Sequence, residues 1–221
     1  MSLCSCSSEE ETDYIPMSGE IDFYMSVSPT SATVEARDAT KTISITSNTT
    51  WTASKSDDWC DMSSTSGSGD QDIELIFDDN TDLESRQITI TVVSSVTTST
   101  VTITQQAGSL PSISDPTVSD IERYSAIVSG TYESQFDATE YGVVYSTTSK
   151  QPTADDDSCV SYTDGGTSGT IYAELSNLNS ATTYYVRLFA VSAVGTEYSS
   201  ASSFTTSGAT PSEDDNPTPS Y

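Results

Sequence analysis

The sequence contains no histidine. That absence removes imidazole general bases, Ser-His-Asp triads and most zinc sites together. Positive charge is nearly as scarce. Seven Lys and Arg stand against 33 Asp and Glu, for a formal net charge of −26. Such a surface repels phosphate backbones, so nucleic acid is not expected as a partner, and the charge reads as solubility outside a cell. Cysteine is spare, at four residues. Cys4 and Cys6 sit close together near the start, while Cys60 and Cys159 lie far apart in separate β patterns. With no support for a disulfide, the latter two are expected to be buried free thiols. No apolar run approaches the ~18 residues of a membrane helix.

What is abundant points to strands. Thr, Ser, Val and Ile dominate, in short runs punctuated by Gly and Pro. The 221 residues suffice for two small β domains or one large one.

Residues 1–20 are short, polar and acidic, and are not expected to fold. Residues 21–107 read as a first domain. Ile43 and Ile45 alternate with polar residues; so do Trp51 and Ala53, then Ile73, Leu75 and Phe77, then Ile88, Ile90 and Val92, then Val101 and Ile103. Ser66-Gly67-Ser68-Gly69 is a turn. Short strands with frequent turns predict a sandwich. Gly108–Pro116, with Pro111 and Pro116, reads as a linker. Residues 117–207 read as a second domain, in which Ala126, Val128, Gly130 and Tyr132 alternate, as do Tyr141, Val143 and Tyr145. Residues 208–221 are polar and Pro-rich and read as a disordered tail. The fold class expected is all-β, two tandem Ig-like sandwiches.

Three resemblances follow from particular residues. The order Ser47-Asn48-Thr49-Thr50-Trp51, Asp57-Asp58-Trp59, the Ser/Gly turn, Glu84-Ser85-Arg86-Gln87-Ile88-Thr89-Ile90 and Val101-Thr102-Ile103-Thr104-Gln105-Gln106 resembles the BACON domain. That is a small β-sandwich of secreted and surface proteins of Bacteroidetes. It was named for proposed carbohydrate binding, and some members look like spacers. Cys60-Asp61-Met62 departs from the plainer β-branched residues of the family. Leu178 followed by Tyr184, Val186, Leu188 and Ala190 resembles the fibronectin type III segment that holds a tyrosine corner, with Tyr184 in the corner position. This segment departs where the family's buried tryptophan gives way to small residues around Gly130. Leu3-Cys4-Ser5-Cys6 resembles the end of a bacterial lipobox, in which Cys6 is the acylated residue, and Ser7–Glu11 resembles an acidic surface-export signal. The resemblance implies a lipid-anchored protein on the cell surface at the outer membrane, its membrane contact made only through the anchor. The basic and most of the apolar parts of a signal peptide are missing, which reads as a trimmed N-terminus.

Sugars bind to flat aromatic faces edged by polar partners. Trp51 shares its face with Ala53 and is expected in the core. Trp59 shares its face with Asp61, beside Asp57 and Asp58, and is either a stacking platform or a lid on one end of the sandwich. If Tyr184, Val186 and Leu188 point inward, then Tyr185, Arg187 and Phe189 point outward as an aromatic-Arg-aromatic row. Such a row is either a ligand patch or a packing surface. Asp78-Asp79-Asn80-Thr81-Asp82 and Asp155-Asp156-Asp157 lack the Gly turn and closing Glu of a calcium loop and read as solvated loops. No cofactor or metal is expected. Nothing in the residue order places two carboxylates in one cleft, so no catalytic residue is assigned and the protein is not expected to be an enzyme. The reading is a non-catalytic surface lipoprotein that binds or spaces in glycan capture. The alternative is a structural or adhesive protein acting through protein contacts. The partners would be a polysaccharide or a surface protein.

Overall fold

A computed structural model describes residues 22–155 and 157–208. These residues form strands and turns, with no helix among them.

The first nine strands are β1 (Met25–Ser28), β2 (Ser31–Val34), β3 (Thr40–Ser47), β4 (Thr50–Lys55), β5 (Cys60–Met62), β6 (Ser66–Ser68), β7 (Gln71–Phe77), β8 (Arg86–Ser94) and β9 (Thr98–Gln105). They pair as a four-stranded sheet β1-β3-β7-β5 and a five-stranded sheet β2-β9-β8-β4-β6. Period-two patterning sends one face of each sheet inward. Ile43, Ile45, Ile73 and Leu75 from one sheet meet Trp51, Ile88, Ile90, Val92 and Ile103 from the other in a single core. Each such side chain, fully buried, contributes roughly 1.5–3 kcal/mol. Trp51 is 2% exposed, and its indole Nε1–H donates to the carbonyl of Gly69 at 3.1 Å. A Cβ on Gly67 would lie 2.3 Å from Trp51 Cζ2, so the Ser/Gly turn is shaped by the ring beneath it. Cys60 is 1% exposed, as expected.

The other nine are β10 (Ser112–Ile113), β11 (Thr117–Ser119), β12 (Ala126–Glu133), β13 (Glu140–Ser146), β14 (Ser158–Thr163), β15 (Ser168–Leu175), β16 (Thr183–Val191), β17 (Thr196–Tyr198) and β18 (Ser202–Thr205). In one sheet β12 pairs with β10, β11 and β15; in the other β14-β13-β16 runs on to β17 and β18. Val128, Ile171 and Leu175 pack against Val143, Tyr184, Val186 and Leu188. A Cβ on Gly130 would meet Leu188 Cδ1 at 2.3 Å. Leu188 fills the place where a larger residue on β12 would otherwise stand, which accounts for the missing tryptophan. Cys159 corrects the expectation of a buried thiol. It is exposed, because β14 is an edge strand with no neighbour on its far side to cover it.

Between the two sandwiches the chain is folded into the joint. Ser112 and Ile113, within the segment read as linker, pair with Glu133 and Tyr132. A Cβ on Gly108 would lie 2.8 Å from the carbonyl of Asn80 and 2.9 Å from Val194 Cγ2, so the backbone passes close between both halves. Asn80 is fully buried rather than solvated. Its amide donates to the carbonyls of Glu84 and Gln106 at 3.0 and 2.8 Å. The Asp78–Asp82 run is therefore a backbone clamp around one amide, and no group that could hold a metal ion occurs among the described residues. Arg37 crosses the joint. It donates to the carbonyl of Gln135 at 3.1 Å and to both carboxylate oxygens of Asp137 at 3.2 and 3.4 Å. Its guanidinium carbon stands 6.0 Å from the centre of the buried Phe136 ring.

Candidate functional site

Tyr184 sets the geometry at one end of the second sandwich. Its Oη accepts from the N–H of Asn179 at 2.8 Å, the tyrosine corner that the residue order resembled. Asn177 at φ 58° and Ala181 at φ 49° bracket the corner in the left-handed region. The ring stacks on Phe204 with centroids 5.6 Å apart and tilts against Tyr145 at 6.1 Å. Val186 and Leu188, which follow inward along β16, are fully buried.

The outward row of β16 is corrected by the structure. Phe189 has no exposed surface, so it cannot offer its face to a ligand. Val144, opposite Arg187 on the neighbouring strand and on the same face, is equally buried. Alternation settles which side of a sheet a residue takes, not whether that side is covered. Here it is covered: Phe189 lies 6.0 Å from Tyr198, and the backbone N–H of Ala154 donates to Tyr198 Oη at 3.1 Å, which draws the excursion between β13 and β14 across this face. Arg187 is half-buried over the Tyr198 ring at 4.7 Å, with Nε donating to the carbonyl of Ser199 at 2.8 Å. Tyr185 is half-buried beside them. Phe189 and Arg187 thus form a packed layer with Tyr198.

Trp59 is likewise half-buried and packs on the first core. Its ring meets Phe77 at 5.8 Å, and the Arg86 guanidinium carbon stands 4.3 Å from its centre. Arg86 is itself fixed by Gln105 Oε1 at 2.8 Å and the carbonyl of Asp78 at 2.7 Å. A cation held over the ring occupies the face that a sugar would need. Of the two readings given for Trp59, the arrangement has the geometry of the lid. Cys6 lies outside the described residues.

Sequence reasoning missed a groove of about 470 Å³ at the corner end of the second sandwich. Tyr145, Tyr184, Asp157, Asn177 and Asn179 are among its lining residues. The signal available in the sequence was the pair of asparagines, Asn177 and Asn179, that flank Leu178.

Residues 24–108 match the family described as the viral BACON domain. No curated protein sequence matches the chain. Among solved structures the chain is similar to a GH5 xyloglucanase of Bacteroides ovatus in complex with a XXXG heptasaccharide, at 27% identity and a TM-score of 0.38, over 40% of this chain and 20% of that one. It is also similar to the sensor domain of the anti-sigma factor RsgI4 in Pseudobacteroides cellulosolvens, at 20% identity and a TM-score of 0.38, over 50% of this chain and 88% of that one. A fibronectin type III domain derived from the human KIAA0970 protein matches at 24% identity and a TM-score of 0.32, over 49% of this chain and 82% of that domain.

Proposed function

We propose that this chain is a non-catalytic module for glycan capture, built to hold a binding surface at a fixed distance and angle from its point of attachment. The observation that carries the spacer half of the reading is the joint. A loose tether would leave its cations and carbonyls in water. Here Arg37 grips Gln135 and Asp137, Ser109 N–H donates to Gln135 Oε1 at 3.1 Å, and Gly108 is closely packed between the halves. The glycan half rests on the BACON match over residues 24–108. Attachment would be through an acyl chain on Cys6, on the outer surface of the outer membrane. Two experiments test this reading. Migration of the full chain in gels containing neutral polysaccharides should be retarded, and mass spectrometry of membrane fractions should find Cys6 acylated once a complete signal is supplied. Unretarded migration in every polysaccharide sinks the glycan half. An unmodified Cys6 in the membrane sinks the anchor.

A second reading is favoured by the match of residues 24–108 to the viral BACON domain. In it the same rigid pair serves as a structural or adhesive part of a virus particle, working through protein contacts. Recovery of the chain in purified particles, with no polysaccharide binding, would select it.

A further inference from the structure

We propose that the groove beside the tyrosine corner is the sugar-binding subsite, and that it takes a neutral pyranose. This deepens the glycan-capture reading and rests on it.

The groove's volume, about 470 Å³, falls in the usual range for small-ligand sites. Its aromatic wall is Tyr145, half-buried and braced by Tyr184, which is itself stacked on Phe204. The polar groups come from three separate segments. Asn177 and Asn179 belong to the corner, Asp157 precedes β14, and Ser146 ends β13. The pairing of Tyr145 with Ser158 brings the last two segments to the same level.

Several of these groups have hydrogen-bonding capacity to spare. Tyr184 is 6% exposed, and its Oη is used only as an acceptor, from Asn179 N–H, in the hydrogen bonds among the described residues. Its proton is therefore left to donate into the groove. The Asn179 side-chain amide has no partner among the described residues, and its backbone N–H and C=O are both engaged, which fixes the stem that carries it. The Asp157 carboxylate accepts from Thr153 N–H at 3.3 Å through one oxygen, leaving capacity on the other. A donor hydroxyl, an amide and a carboxylate brought together from separate segments are the chemistry that a sugar's vicinal hydroxyls require. Charge selects among sugars. With a net charge of −26 on the chain and Asp157 in the groove, a uronate or sialate would be repelled.

The test uses the full chain, isotope-labelled, titrated with methyl glycosides of glucose, galactose, mannose, N-acetylglucosamine and glucuronic acid. At least one neutral glycoside should shift the amides of residues 145–147, 157–158 and 177–179, and the glucuronide should leave them unmoved. Asn179→Ala and Asp157→Ala should each weaken binding about tenfold, one hydrogen bond's worth, with melting unchanged. The titration of the parent reads the site even if a variant fails to fold. Shifts confined to another surface, or binding indifferent to both variants, overturn the groove while leaving glycan capture standing. If the chain is also unretarded in every polysaccharide gel, glycan capture falls and the groove assignment falls with it.

Discussion

Arg37 and Asp137, 100 positions apart, form a forked ion pair across the joint between the two sandwiches, Nη1 donating to Oδ1 at 3.2 Å and Nη2 to Oδ2 at 3.4 Å. The pair raises the Arg37 pKa, through the hydrogen bond to Asp137 first and the charge of Asp137 second. A forked pair constrains angle as well as distance, which a point charge would not. Its effect should therefore appear in domain orientation more than in stability. Arg37→Ala should leave the melting temperature of each sandwich nearly unchanged, since pairs at a water-facing surface contribute little to stability. Relaxation measurements should then give the two halves separate tumbling times where the parent gives one. A single tumbling time in the variant would show that Gly108 and Phe136 hold the joint unaided.

Tyr184→Phe removes one oxygen and leaves the N–H of Asn179 without its acceptor. The loss should be about 1–3 kcal/mol, the desolvation cost of an unsatisfied donor, with the phenyl ring still stacked on Phe204. Urea denaturation checks it. A change near zero would mean that water replaces the hydroxyl at the corner.

Phe189→Ala distinguishes a packed layer from a ligand patch. A ring with no exposed surface should cost roughly 3–5 kcal/mol when truncated. Calorimetry should show a large fall in melting temperature. A variant as stable as the parent would restore the outward aromatic row as a surface.

The Cys60 thiol is pushed up to about 11 from 9.0, chiefly by burial, with Lys55 opposing. Below pH 9 the thiol is protonated in folded and unfolded chains alike, and stability is unaffected. Between pH 9 and about 11 the unfolded chain releases its proton while the folded chain keeps it, so stability falls as pH rises. The slope for one such group is roughly 1.4 kcal/mol per pH unit. Tyr132, also raised by burial, acts in the same direction at higher pH. Subtracting the profile of Cys60→Ala isolates the thiol. Equal profiles for the two proteins would refute the assignment. In the native protein, alkylating reagents should modify the exposed Cys159 and leave Cys60 intact.

Strand identity and facing were legible in the sequence, because both are local. Alternation of period two placed Ile43 and Ile45, Ile73 and Leu75, and Tyr184, Val186 and Leu188 on inward faces, and all are buried. Tyr184 and Leu178 marked the corner because that hydrogen bond closes within five residues. What the sequence could not determine is which outward faces stay bare. Phe189 is covered through the Ala154–Tyr198 contact, Trp59 is capped by Arg86, and Arg37 reaches the second sandwich. Each of these joins residues 27 to 100 positions apart or lies across a turn whose path no period encodes. The groove is of the same kind. Asp157, Tyr145 and Asn179 lie in three segments that only the closed sandwich brings together, because burying the two inner faces against each other fixes where the strand ends meet.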